Sequence, residues 1–97
     1  MKIIEQDVVV GKTTARGIEI PLTNARLILI TTTKGYVMCG YLDIATAEKM
    51  GDCAAVIRGV SSIDALLEGK VAALTTAAAK AGISIGMKGR EALEKLV

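Results

Sequence analysis

Residues 26–42 read RLILITTTKGYVMCGYL, and this stretch decides the fold. Residues 26–33 are β-branched and apolar at their centre, with LILI at 27–30, and form a strand. Lys34-Gly35 marks a hairpin turn, and YVMCGYL at 36–42 returns as the next strand. The LILI run lacks polar alternation, which predicts cover on both faces. Toward the N-terminus, IIEQDVVV at 3–10 is a strand that ends in a turn at Gly11-Lys12. Residues 13–20, TTARGIEI, form a half-buried strand with Ile18 and Ile20 on one face and Glu19 on the other. Pro21 stops that strand because it has no N–H to donate to a sheet ladder. Residues 1–42 are therefore an antiparallel β-meander with no room for a helix.

After residue 42 the hydrophobic period changes. Asp43 is placed to cap a helix over 44–50, and Gly51 ends it. CAAVIRG at 53–59 is a strand of small residues. SSIDALLEG at 61–69 reads as a complete helix. Ser61 and Asp64 form its capping box, Ile63, Leu66 and Leu67 fill one face, and Gly69 stops it. Residues 71–81, VAALTTAAAKA, are helical by propensity, and Gly82 follows as a cap. ISI at 83–85 is a short strand. Residues 89–97 form a last helix with Leu93, Leu96 and Val97 inward and Arg90, Glu91, Glu94 and Lys95 outward. Glu91 and Lys95 are spaced as an i,i+4 ion pair. The order ββββαβααβα predicts an α+β fold, a meander followed by a mixed β/α segment with helices packed on one side of the sheet. The whole chain, 1–97, makes a single domain with a mostly β part at 1–42 and a mixed part at 43–97.

Composition narrows the function. The chain is 52% hydrophobic and 23% charged, and it has no Trp, Phe or His. A folded monomer of 10.1 kDa should expose about 5,300 Å². So many apolar side chains are hard to hide in so small a body, which predicts burial against further copies of the chain through strands within 3–33. Charge placed at Ile28 or Leu29 is expected to break that contact. The net charge is +2, with scattered cations and no run of aromatic stacking groups, so no nucleic-acid partner is expected. No apolar run reaches the roughly 18–20 residues of a membrane span. The N-terminus, MKIIEQD, carries acids at positions 5 and 7 and lacks a signal-peptide core, which predicts a cytoplasmic protein with Cys39 and Cys53 reduced. The lack of His excludes Ser-His-Asp and Cys-His catalysis from this chain alone, and two cysteines without His make no zinc site. No metal or cofactor is expected.

Three features can carry chemistry. Cys39 lies between Gly35 and Gly40 in the segment that holds both tyrosines. A reactive thiol there needs a nearby cation or helix N-terminus, and otherwise Cys39 is a small buried apolar residue and a slow thiol. The turn GMKGR at 86–90 precedes a helix and offers Gly86 and Gly89 with the cations Lys88 and Arg90, a pattern able to hold a phosphate or carboxylate. It matches neither G-x-x-x-x-G-K-[ST] nor G-x-G-x-x-G. Arg58, before Gly59, either leaves the sheet edge to solvent or pairs with a carboxylate such as Asp64.

GYVMCGYLD at 35–43, RGVSSIDALL at 58–67 and GISIGMKGREALEKL at 82–96 together resemble the domain-of-unknown-function 1805 family, small archaeal and bacterial proteins of YunC type. The resemblance covers roughly residues 5–97. It implies an α+β fold and an N-terminal β region that forms a tetramer, and it implies no established activity. One departure is informative. The family's last block often reads G-M-S-G-R-E-A-L, where Ser and Glu make a capping box, and here Lys88 stands at the Ser place. Gly86, Gly89, Arg90 and Glu91 carry over, as do Cys39, Gly35 and Gly40 without a role. The reading is a homo-oligomeric binding or structural module with no assigned enzymatic activity. The alternatives are a receptor for a small anionic metabolite at Gly86–Arg90 and a thiol enzyme using Cys39.

Overall fold

The computed structural model describes residues 2–97. The first half is the expected meander of β1 (Ile4–Val10), β2 (Thr13–Pro21), β3 (Arg26–Thr31) and β4 (Tyr36–Met38), each antiparallel to the next. At the β3–β4 turn the Thr32 N–H donates to the Gly35 carbonyl at 2.8 Å. Gly35 lies so close to the Cys53 carbonyl that any Cβ would collide with it. That approach seats β4 beside β5 (Ala54–Val56), parallel to it, after helix α1 (Ile44–Met50) has crossed over. β5 pairs antiparallel with β6 (Ala73–Leu74), so six strands lie side by side in chain order. Asp43 caps α1 as expected, accepting from the Ala45 N–H at 3.1 Å and the Thr46 hydroxyl at 2.7 Å, and these donors hold its carboxyl below the usual range.

Alternation along the strands sets the core. Ile28, Ile30, Val37 and Ala55 share one face and pack with Ile63 and Leu66 of α2 (Ile63–Glu68), Ala92 and Leu93 of α4 (Gly89–Glu94), and Leu96. α2 packs on β2 and β3, and α4 on β4. The opposite face carries Ile18, Ile20, Leu27, Leu29 and Met38, linked across strands as Ile18–Leu29–Met38 and Ile20–Leu27. All five are half-buried, whereas Ile28 and Ile30 are fully buried. The LILI run is thus covered completely on one face only. It is Glu19, not Ile18 or Ile20, that lies on the helix-covered face. The chain exposes 5569 Å², close to the expectation for its mass.

The second half departs from expectation in five places. β5 is buried on both faces, and α1 and α3 (Thr76–Lys80) both pack on it. Ala47 of α1 is buried with Ala54 and Val56, apart from the main core cluster. Helices therefore do not keep to one side, because an interior strand with a parallel neighbour needs cover on both faces. The helix expected over 71–81 is shortened to α3, and its first part becomes β6. The Ala72 N–H donates to the Val56 carbonyl at 2.8 Å and the Thr75 N–H to the Ala54 carbonyl at 3.0 Å, closing what would be an open edge of β5. Buried Thr75 then caps α3, its hydroxyl accepting from Ala78 N–H at 3.2 Å and donating to the Asp52 carbonyl at 2.7 Å. The strand expected at 83–85 is a turn, so the sixth strand precedes α3 and the order is ββββαβαβαα. The cap of α2 is Ser62 rather than Ser61, accepting from the Ala65 N–H at 3.0 Å. Leu93 and Leu96 are buried as expected, but Glu91 accepts from the Lys88 N–H at 3.0 Å, and no Glu91–Lys95 ion pair forms among the described residues.

Candidate functional site

Three loops meet at the end of the sheet where β4 and β5 finish. The β2–β3 loop turns through a Leu22 N–H to Ala25 carbonyl bond of 2.8 Å. After β4 the chain turns at once, with the Leu42 N–H on the Cys39 carbonyl at 3.1 Å. After β5 the chain runs through Gly59, whose φ of 76° is left-handed and suits glycine. Between these loops lies a cavity of 320 Å³ lined by Arg26, Cys39, Tyr41, Gly59 and Val60. A shallow groove of 800 Å³ continues from it past Asn24 to Ser61 and Ser62. Arg26 and Val60 line both.

Cys39 is the floor of the cavity. Its expected strand, 36–42, ends at Met38, so Cys39 sits just past the strand end and not within it. The thiol is buried, and its Sγ accepts from the Ile28 N–H at 3.3 Å. Its S–H points toward the Arg26 carbonyl at 3.9 Å, a weak contact. Arg26 reaches Glu19 with one nitrogen at 3.3 Å. The other Glu19 oxygen accepts from the Ile63 N–H at the start of α2, at 2.8 Å. A buried carboxylate is costly unless bonded, and these two donors satisfy it. Arg58 is exposed, with its stem beside Gly40, and makes no ion pair among the described residues, so the Asp64 pairing is not formed. Arg58 lines neither hollow, but its stem meets Gly40, which lines the cavity together with Cys39.

Cys53 lies elsewhere, under the β3–β4 turn, where burial pushes its thiol up. Both cysteines are free, and no cluster of three His, Cys, Asp or Glu suited to a metal exists among the described residues.

The 86–90 turn is built differently. The Gly86 N–H donates to the Val71 carbonyl and the Gly89 N–H to the Gly69 carbonyl, both at 2.9 Å. Arg90 meets Glu68 at 2.8 Å and Lys88 meets the same carboxylate at 3.6 Å. Its cations and most of its donors therefore have internal partners. Gly89 is buried, and a Cβ there would collide with the Leu66 carbonyl, which gives this glycine a packing role. Glu19 and Arg26 escaped the sequence reading as site residues. The one available signal was a lone acid between Ile18 and Ile20 in a strand.

A six-stranded mixed sheet in chain order, with helices packed on both faces and a loop groove at one end, defines a small α+β protein. The chain belongs to the family described as Domain of unknown function (DUF1805), whose model matches residues 38–96. It is similar to the uncharacterized protein YunC of Bacillus subtilis (strain 168), 41% identical over 88 residues, covering 87% of this chain and 85% of that one. It is also similar to the crystal structure of a protein of unknown function, TA1206, from Thermoplasma acidophilum. That match has 34% identity and a TM-score of 0.95 and covers 99% of this chain and 94% of the other. No described helix is long and apolar enough to cross a membrane.

Proposed function

We propose that the protein is a cytoplasmic, homo-oligomeric binding module, tetrameric in its assembled form, whose copies join through the open face of the N-terminal sheet. The observation that carries this is the ladder Ile18–Leu29–Met38 beside Ile20–Leu27, an apolar centre left only half-buried within the single chain. Its rim bears the Arg16–Glu5 pair at 3.0 Å together with Asp7. An apolar centre with a rim of both charge signs suits a second copy of the same surface better than a strongly charged partner.

Light scattering tests the assembly. Wild type should give the mass of four chains, and Leu29→Glu should lower it while circular dichroism stays native. Ile28→Lys answers a different question. Ile28 is wholly inside the monomer, so a charge there should unfold the chain. A stable wild-type monomer, or Leu29→Glu with unchanged mass, would refute this reading.

A further inference from the structure

We infer that the groove between Arg26, Cys39, Tyr41 and the 58–62 loop is a binding site for a small organic anion, a carboxylate or phosphate on a compact apolar body. This goes beyond assembly and does not rest on it.

Size and place come first. The cavity of 320 Å³ falls at the lower end of small-molecule sites, which run from about 300 to 1,000 Å³. It lies beyond the carboxyl ends of β4 and β5, the parallel pair. In open sheets, the connections that leave such ends diverge and create a crevice where ligands bind.

The chemistry of the lining points to an anion. Arg58, exposed and outside the lining itself, has no ion-pair partner among the described residues, and its stem lies beside Gly40 of the lining. Arg26 gives Glu19 one nitrogen, which leaves other N–H groups of its fork for a second acceptor. The N–H groups of Gly59, Val60 and Ser61 make no hydrogen bond to the described residues. The start of α2 is not part of the site, since its Ile63 and Ala65 N–H groups already go to Glu19 and Ser62. Val60 and the half-exposed ring of Tyr41 give the apolar body a wall. The Arg26 guanidinium in the lining of a mainly apolar cleft, an unpaired arginine whose stem reaches its rim at Gly40, and three unbonded backbone N–H groups fit a ligand with one acidic head. No reaction is assigned to Cys39, which forms the floor and serves as the reporter.

The test uses the full chain with Cys53→Ala, which leaves Cys39 as the only thiol. An uncharged alkylating agent is followed in phenyl phosphate, benzoate, inorganic phosphate and chloride at equal ionic strength. At an anion concentration about four times Kd, phenyl phosphate or benzoate should slow labelling about fivefold relative to chloride. The same anions should raise the melting temperature of the chain with both cysteines intact. Arg58→Ala, at an exposed position, should need about tenfold more anion for the same protection, and Arg58→Lys should fall between. Comparing phenyl phosphate with benzoate tells which acid head is preferred. Inorganic phosphate as effective as phenyl phosphate would overturn the apolar-body part of the assignment. Labelling that ignores every anion, or an Arg58→Ala response equal to wild type, would overturn the site. So would protection that follows protein concentration and not anion, which would mark the groove as covered by a neighbouring copy.

Discussion

The Glu19 carboxylate on β2 accepts the Ile63 N–H of α2 at 2.8 Å, across 44 residues of chain. Its other oxygen holds Arg26 at 3.3 Å. One side chain thereby fixes the start of a helix, its seat on the sheet and an arginine at the groove. Glu19→Ala leaves the Ile63 N–H without its acceptor, and the expected loss is about 1–3 kcal/mol in urea unfolding. Glu19→Gln keeps an acceptor oxygen and should lose less. An alanine variant as stable as wild type would show that the contact contributes nothing.

Tyr36 makes a pH-dependent contribution. Its hydroxyl donates to Asp52 at 2.7 Å. Burial first, then the bond to Asp52 and its negative charge, push the phenol up from 10.0 to about 12. The fold therefore favours the neutral phenol. The stabilisation is complete below pH 10, where the unfolded phenol is also neutral, and is lost as the pH rises through 12. With Tyr41→Phe, Tyr36 is the only phenol, and ultraviolet titration should place its midpoint near 12, while Asp52→Asn should bring it down. A midpoint at 10.0 with Asp52 intact would contradict this.

Gly89 should reverse a familiar trend. Replacing a helical glycine with alanine ordinarily stabilises by about 1 kcal/mol. At position 89 the added Cβ would collide with the Leu66 carbonyl and stand 2.9 Å from Ile57 Cδ1. Gly89→Ala should therefore destabilise by about 1–3 kcal/mol, the usual cost of overpacking. Thermal unfolding decides the sign, and a gain in stability would mean that α4 does not press on α2 this closely.

Lys88 and Arg90 are expected to matter little for anions. Arg90 chiefly, with Lys88, holds the Glu68 carboxyl below its ordinary range. That contribution is present above the unfolded carboxylate pKa and fades as pH falls. All three side chains are exposed, so salt screens it. The double variant Lys88→Ala with Arg90→Ala should melt close to wild type in high salt and keep the protection of Cys39 by phenyl phosphate. Loss of that protection would move the anion site from the groove to the 86–90 turn.

Strands were legible wherever turn chemistry and β-branched runs agreed, as in β1, β2 and the Lys34-Gly35 hairpin. Caps were legible where one residue offered itself, as Asp43 did. The 71–81 run misled because propensity speaks only for isolated segments. Alanines there favour a helix, but Ala72 and Thr75 answer the open edge of β5, which sequence does not display. At the site, Cys39 and Arg58 could be named but not related, since the approach of Arg58 to Gly40, next to Cys39, depends on β4 and β5 running parallel. Glu19 was hidden for a related reason: its partner is a backbone N–H far along the chain.

The order of the strands also bears on how the protein is made. Because the sheet grows in chain order, β1 to β4 leave the ribosome before α2 and α4 exist. Ile28 and Ile30, dry in the finished molecule, then lie bare on one side of the nascent meander, with Leu27 and Leu29 on the other. Such a two-sided apolar ribbon is a target for chaperones and a seed for aggregation until the last helix arrives. Truncation from the C-terminus should therefore do more harm than its few residues suggest, because α4 and Leu96 close the core that every earlier strand has been waiting to bury.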